Sequence, residues 1–151
     1  MKETLKTLQS HVRLLCSREQ KARLAAETIR QSGGYRWVGL YDVEEASIAV
    51  IAWSGPGAPA YPRFPRNSGL NGVAVANGTT VVVQDVREDS RYLQTLGDTL
   101  AEMIVPVQST GAIVGTIDVE SAAANAFSKR DEEFLGECAA VLLPLWTEKF
   151  L

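Results

Sequence analysis

The chain holds a single histidine, His11, and only two cysteines, Cys16 and Cys138. A zinc site built on several His or Cys ligands is therefore not expected. A Ser-His-Asp triad would have to use His11, which sits on an N-terminal helical segment far from any nucleophile motif. No G-x-x-x-x-G-K-[ST] or G-x-G-x-x-G stretch occurs, so the common phosphate cradles are absent. The longest apolar run, about Ala139 to Trp146, contains Pro144 and falls far short of the ~18 residues that a membrane span needs. Lys2, Glu3 and Lys6 are followed by no apolar stretch of the signal-peptide kind. A cytoplasmic protein without a membrane partner is the expectation. The chain also lacks internal repeats and low-complexity tracts.

What is present suits one globular domain. The 151 residues are 46% apolar and 22% charged, and a chain this long buries roughly 70% of its unfolded surface on folding. The expected domain spans residues 1–151, with 1–16 as an N-terminal helical extension. The net charge is −3, but it is uneven: residues 1–36 carry +5 and residues 37–151 carry −8. A basic helical face can contact nucleic acid. No aromatic residues interleave with this one, so it reads as a solvated face and no nucleic-acid partner is expected.

Leu5, Leu8, Val12, Leu15, Ala22, Ala26 and Ile29 fall on a heptad frame broken at Glu19. Ser17 and Gln20 have capping-box spacing, so a second helix is predicted from Arg18, stopped by Gly33 and Gly34. The apolar stripe either packs on the domain's own sheet or forms the seam of a homodimer. Tyr35–Tyr41 and Ser47–Trp53 read as a strand hairpin. Alternation puts Trp37, Gly39 and Tyr41 on one face and Arg36, Val38 and Leu40 on the other. Residues 54–66, with Pro56, Pro59, Pro62 and Pro65, read as an irregular loop of a length often used as a lid. A short helix over Gly69–Ala76, a strand over Thr80–Gln84 and a polar connection over 85–100, with a helical turn near Arg91–Leu96, follow. Glu102–Gln108 and Ala112–Glu120 make the last hairpin. Ser128 caps the final helix, and Pro144 ends or kinks it. Strands flanked by helices predict an α+β domain whose antiparallel sheet is covered on one face by the terminal helices. The other face would lie under the two long connections, where a ligand pocket forms.

Three acidic residues stand on the late strands, where acids are disfavoured. Asp118 and Glu120 lie two apart and share a face. A three-residue loop Ser109-Thr110-Gly111 would pair Gln108 with Ala112 and set Glu102 opposite Asp118; a two-residue loop would set Glu102 opposite Ile117. Gly111 favours the longer loop, which puts three carboxylates on one side of the sheet near Trp37 and Tyr41. Like charges at short range raise one another's pKa unless a cation joins them. Arg36, Arg63 or Arg66 could be that cation. The alternative is the amine of a ligand, with Trp37 offering its ring.

Trp37-Val38-Gly39-Leu40-Tyr41, Glu102-Met103-Ile104-Val105-Pro106 and Gly115-Thr116-Ile117-Asp118-Val119-Glu120-Ser121 resemble a GAF domain. Within that superfamily they resemble the free methionine-(R)-sulfoxide reductases, over roughly residues 20–145. The resemblance implies a six-stranded antiparallel sheet, with helices on one face and a small-molecule pocket on the other. It implies that Trp37, Tyr41, Glu102, Asp118 and Glu120 line that pocket, with Glu120 in place of the usual aspartate. It also implies that Tyr61, Asn71 and Thr95 stand where the reductases carry their thiols. Cys16 and Cys138 fall on terminal helices, on the covered side of the sheet, and read as packing residues.

The expectation is therefore a non-catalytic, small-molecule-binding GAF domain for an amine-bearing metabolite such as a free amino acid. Its ligand residues would be Trp37, Tyr41, Tyr61, Asn71, Thr95, Glu102, Asp118 and Glu120. No cofactor or metal is implied, and a homodimer is expected. A redox enzyme using Cys16 or Cys138, and a dimerisation module without ligand, are the alternatives. Cyclic-nucleotide and bilin binding are disfavoured by the absence of their motifs.

Overall fold

Capping chemistry sets the second helix of the computed structural model, which describes residues 2–94 and 96–148. Helix α1 runs Lys2–Val12 and α2 runs Arg18–Gly33. The Ser17 hydroxyl accepts from the Gln20 amide at 3.1 Å, and the Gln20 side chain accepts from the Ser17 amide at 3.0 Å. Gly34 closes α2 in the left-handed conformation, φ 68°, its N–H donating to Arg30 O. The heptad frame stops at Val12. Leu15 lies between the helices and is fully exposed, because the turn that brings α2 back across α1 carries it away from both.

Strands β1 (Trp37–Val43), β2 (Ser47–Ser54), β3 (Arg63–Pro65), β4 (Val81–Val83), β5 (Ala101–Ser109) and β6 (Ala112–Ser121) form one sheet in the order β3-β2-β1-β6-β5-β4. Every neighbouring pair is antiparallel. Helices α3 (Gly69–Asn77), α4 (Lys129–Val141) and α5 (Pro144–Thr147) complete the domain. The six-stranded antiparallel sheet expected from the sequence is the sheet observed.

Two details of the connections differ from the sequence reading. The loop over 54–66 contains β3, a three-residue strand whose Phe64 is buried between two exposed neighbours. Its prolines hide it, since Pro65 cannot donate to a ladder and is tolerated only at an edge. The helical turn of the second connection lies at Val86–Glu88, earlier than expected, where the Asp85 side chain accepts from the Arg87 amide. The Pro144 expectation holds: α4 ends at Val141 and Pro144 opens α5 at its first turn.

The two sheet faces bury different chemistry. Leu8, Ile29, Val38, Leu40, Met103, Ile117, Val119, Leu135 and Leu142 pack between the sheet and α1, α2 and α4. Each large aliphatic side chain buried there contributes roughly 1.5–3 kcal/mol. On the opposite face Trp37, Tyr41, Ile48 and Phe64 gather, and Leu70 and Ala74 of α3 lie over Ile104. The expected alternation along β1 is therefore observed.

The C-terminal turn locks β1 in place. Arg18 donates to both carboxylate oxygens of Asp42 and, from Nε, to Leu145 O at 2.7 Å. The Trp146 indole N–H donates to Tyr41 O at 3.0 Å. Its ring lies flat over Gly115, where an added Cβ would stand 2.0 Å from Nε1. Gly115→Ala is expected to expel the indole and lower stability by roughly 1–3 kcal/mol, read as a drop in denaturation midpoint. Trp146→Phe, which removes the N–H and puts a smaller ring in the same buried space, should cost roughly 1–3 kcal/mol.

Candidate functional site

The site begins with a turn. Thr110 and Gly111 both take positive φ, 48° and 83°, the pattern of a two-residue hairpin turn whose twist matches the strands. Ser109 pairs with Ala112 and Gln108 with Ile113, but Val107 pairs with Gly115. Val114 is thus an extra residue, a β-bulge. The expected three-residue loop is not formed, and Glu102 lies opposite Glu120 rather than Asp118. Because the turn is Thr110-Gly111 and not Ser109-Thr110, the same turn without the bulge would set Glu102 opposite Val119, not Ile117, and point it into the apolar core. The bulge restores the parity, so all three carboxylates share the face that carries Trp37 and Tyr41. Across β1 and β6, Trp37 faces Glu120, Gly39 faces Asp118 and Tyr41 faces Thr116.

Glu102, Asp118 and Glu120 are 2%, 0% and 0% exposed. One carboxylate oxygen from each lies within 4.8 Å of the others. The Asn71 amide donates to Asp118 Oδ2 at 3.1 Å, and the Thr116 hydroxyl donates to Asn71 Oδ1. The Thr99 hydroxyl donates to Glu120 Oε1 at 2.6 Å. No other donor among the described residues reaches Glu102 Oε2 or Asp118 Oδ1. One oxygen of each lies within 4.8 Å of the other, and two carboxyls can hydrogen-bond to each other only when one of them carries a proton.

The expected arginines do not serve the cluster. Arg36 pairs with Asp98 at 2.6 Å, Arg63 pairs with Glu44, and Arg66 donates to Glu44 O at 3.0 Å. Burial first, and then the charges of Asp118 and Glu120, push the Glu102 carboxyl well above its ordinary range. Burial and the charge of Glu120 raise Asp118 likewise, against the opposing hydrogen bonds of Asn71 and Glu102. Burial, followed by the charges of Asp118, Glu120 and Glu102, raises the Tyr41 hydroxyl well above its usual value, so it stays neutral.

Aromatic rings wall the cluster. Trp37 and Tyr41 stand 6.4 Å apart between centroids, and Phe64 meets Tyr41 edge-on at 5.9 Å. Gly39 makes this possible: an added Cβ there would lie 2.3 Å from the Trp37 ring and 2.9 Å from that of Tyr41. The Trp37 indole N–H donates to Gly57 O at 3.0 Å and ties the proline-rich loop to the wall. A cleft reaching Glu102 is lined by Tyr61 and Phe64, by the first turn of α3 including Asn71, and by Leu93 and Gln94. Its cavity of about 10 Å³ has room for about one water.

Of the eight residues expected from the sequence, Tyr61, Asn71 and Glu102 line the cleft, Tyr61 half exposed at its rim, and Trp37, Tyr41, Asp118 and Glu120 are buried on the same sheet face as Glu102. Thr95, the eighth, lies outside the described residues. Sequence reasoning missed Thr116, Thr99 and Gln94. Thr116 had a signal, since strand alternation puts it on the Asp118 face. Thr99 and Gln94 lie on irregular chain and had none.

Residues 17–143 match the family model of the GAF domain. Protein YtsP of Bacillus subtilis is 30% identical over 106 residues, which is 70% of this chain and 65% of that protein. The chain thus spans just under two thirds of that relative's length. The free methionine-R-sulfoxide reductase of Neisseria meningitidis, solved in complex with its substrate, has a TM-score of 0.87 at 28% identity, covering 98% of this chain and 89% of that one. The type II free methionine-R-sulfoxide reductase of Thermoplasma acidophilum has a TM-score of 0.82 at 29% identity, covering 95% and 98%.

Raised carboxyl pKa values have a definite consequence for stability. The folded chain binds protons at Glu102 and Asp118 that the unfolded chain has already lost. The cluster's contribution to stability is therefore full in acid, below the ordinary carboxylate range of about 4, and declines as the pH rises above it. Glu102→Gln removes one ionisable group at nearly constant volume. It should raise the denaturation midpoint of the ligand-free protein at pH 7 by several degrees, with the gain shrinking towards pH 4.

Proposed function

The chain belongs to the GAF domain family, and from that premise we propose that it is a non-catalytic small-molecule-binding domain. Its ligand is an amine-bearing metabolite, of which a free amino acid is the example. The observation that carries this reading is the buried group Glu102, Asp118 and Glu120, with no lysine or arginine among the described residues paired to Glu102 or Asp118. Three acceptors placed tetrahedrally around an ammonium nitrogen at hydrogen-bond distance are roughly 4.6 Å apart. The carboxylate oxygens here lie within 4.8 Å of one another. Trp37 and Tyr41 supply apolar and cation–π contact beside them. The first turn of α3 lines the same cleft, and its N–H groups lack intrahelical acceptors, which favours an anionic end such as a carboxylate.

The thiol chemistry suggested by the named structural relatives has no support in the pocket. Cys138 is buried in the helix-side core, and burial pushes its thiol up to about 12. Such a thiol is not a nucleophile near neutrality. Cys16 precedes α2, outside the pocket. On the family resemblance, Tyr61, Asn71 and Thr95 occupy the thiol positions. Asn71 is instead held between Thr116 and Asp118, where it fixes the orientation of a ligand-binding carboxylate.

A reductase remains the second reading, favoured by the names of the solved relatives. The two readings part in one assay. Free methionine-(R)-sulfoxide and free amino acids should raise the denaturation midpoint, since a ligand at 100 times its Kd stabilises by about 2.7 kcal/mol. Asp118→Asn should cost roughly 2–5 kcal/mol of binding with the fold intact. Turnover of the sulfoxide should be absent. Turnover that disappears on replacing Cys16 and Cys138 by serine would instead establish the reductase.

A further inference from the structure

We infer that the carboxylate cluster exchanges a bound proton for the cationic head of its ligand, so that binding releases protons and tightens as the pH rises. This rests on the amine-ligand reading above and adds its proton balance. Glu102 and Asp118 are fully enclosed, and Glu102 Oε2 and Asp118 Oδ1 meet no donor from any other described residue. A carboxylate so placed must find a positive charge or a proton.

Among the described residues, none brings a positive charge to Glu102 or Asp118. From β1 the group facing the cluster is the neutral hydroxyl of Tyr41. From α3 it is the amide of Asn71, and that helix, Gly69–Asn77, has no charged residue. From the connection before β5 it is the hydroxyl of Thr99. Both arginines of that connection are engaged by its own acids, Arg87 with Asp85 and Arg91 with Asp89, and Asp98 pairs with Arg36. In the proline-rich loop and β3, Arg63 pairs with Glu44 and Arg66 caps Glu44 O. A proton therefore stands in for the ligand when none is bound. When an ammonium enters, a carboxyl gives its proton to solvent and its carboxylate accepts from the ammonium. No bond of the ligand is made or broken.

Two measurements on the full chain decide it. Calorimetric titration with free methionine and free methionine-(R)-sulfoxide at pH 7, in buffers of different ionisation enthalpy, should show roughly one proton released per ligand, and affinity should rise up to about tenfold per pH unit from mildly acid to neutral pH. Asp118→Asn and Glu102→Gln should each reduce the number of protons released. Binding with a buffer-independent enthalpy overturns the proton exchange and leaves the amine-ligand reading standing. No binding by either probe overturns both. The infrared spectrum of the ligand-free protein gives the independent check: a protonated-carboxyl band at neutral pH, diminished in Glu102→Gln, supports the exchange, and its absence overturns it.

Discussion

Three carboxylates held within 4.8 Å of one another, on a sheet face closed from water, cannot all be ionised without a positive charge among them. Everything around the site is arranged around that constraint. The strands bring the acids together, the local hydroxyls and amide satisfy some of their oxygens, and the nearby arginines are engaged elsewhere. Such a cluster destabilises the empty domain at neutral pH. A fold tolerates local destabilisation where the other face of its sheet is well packed, as the core of Leu8, Ile29, Leu40, Ile117 and Leu135 is here.

That cluster depends on one inserted residue. The tight turn at Thr110 and Gly111 sets the twist of the last hairpin, and the bulge at Val114 sets which way its side chains point. Because strand side chains alternate with a period of two, a one-residue slip would exchange the carboxylates with Val119 and its apolar neighbours. Core and site are thus specified by the same register. A slip would bury acids in the core and expose aliphatic side chains in the pocket, which makes the observed pairing far lower in energy than its neighbours.

The pocket is assembled from three kinds of chain. The carboxylates and the aromatic pair stand on central strands, where hydrogen bonding on both sides holds them. Asn71 is presented by a short helix that begins directly after the proline-rich loop and β3. Tyr61, Leu93 and Gln94 come from long connections and close the cleft. In the proposed role, rigid elements would carry the polar recognition and irregular ones border the cleft, a division that suits a ligand which must enter and leave.

Helix starts and stops, the apolar stripe of α2, the final helix cap and the alternation along β1 were legible in the chain itself, because each rests on contacts between residues close in sequence. The family resemblance and the spacing of Asp118 and Glu120 pointed to the pocket face for the same local reason. The hairpin register was not legible, since Gly111 permits both a two- and a three-residue turn and only packing of the whole sheet selects the bulge. Short β3 was hidden by its prolines, and Thr99 and Gln94 lay on chain without period. That no lysine or arginine among the described residues pairs with Glu102 or Asp118 belongs to tertiary structure alone: whether Arg36, Arg63 or Arg66 reaches the cluster depends on where Asp98 and Glu44 stand, which no spacing along the sequence encodes.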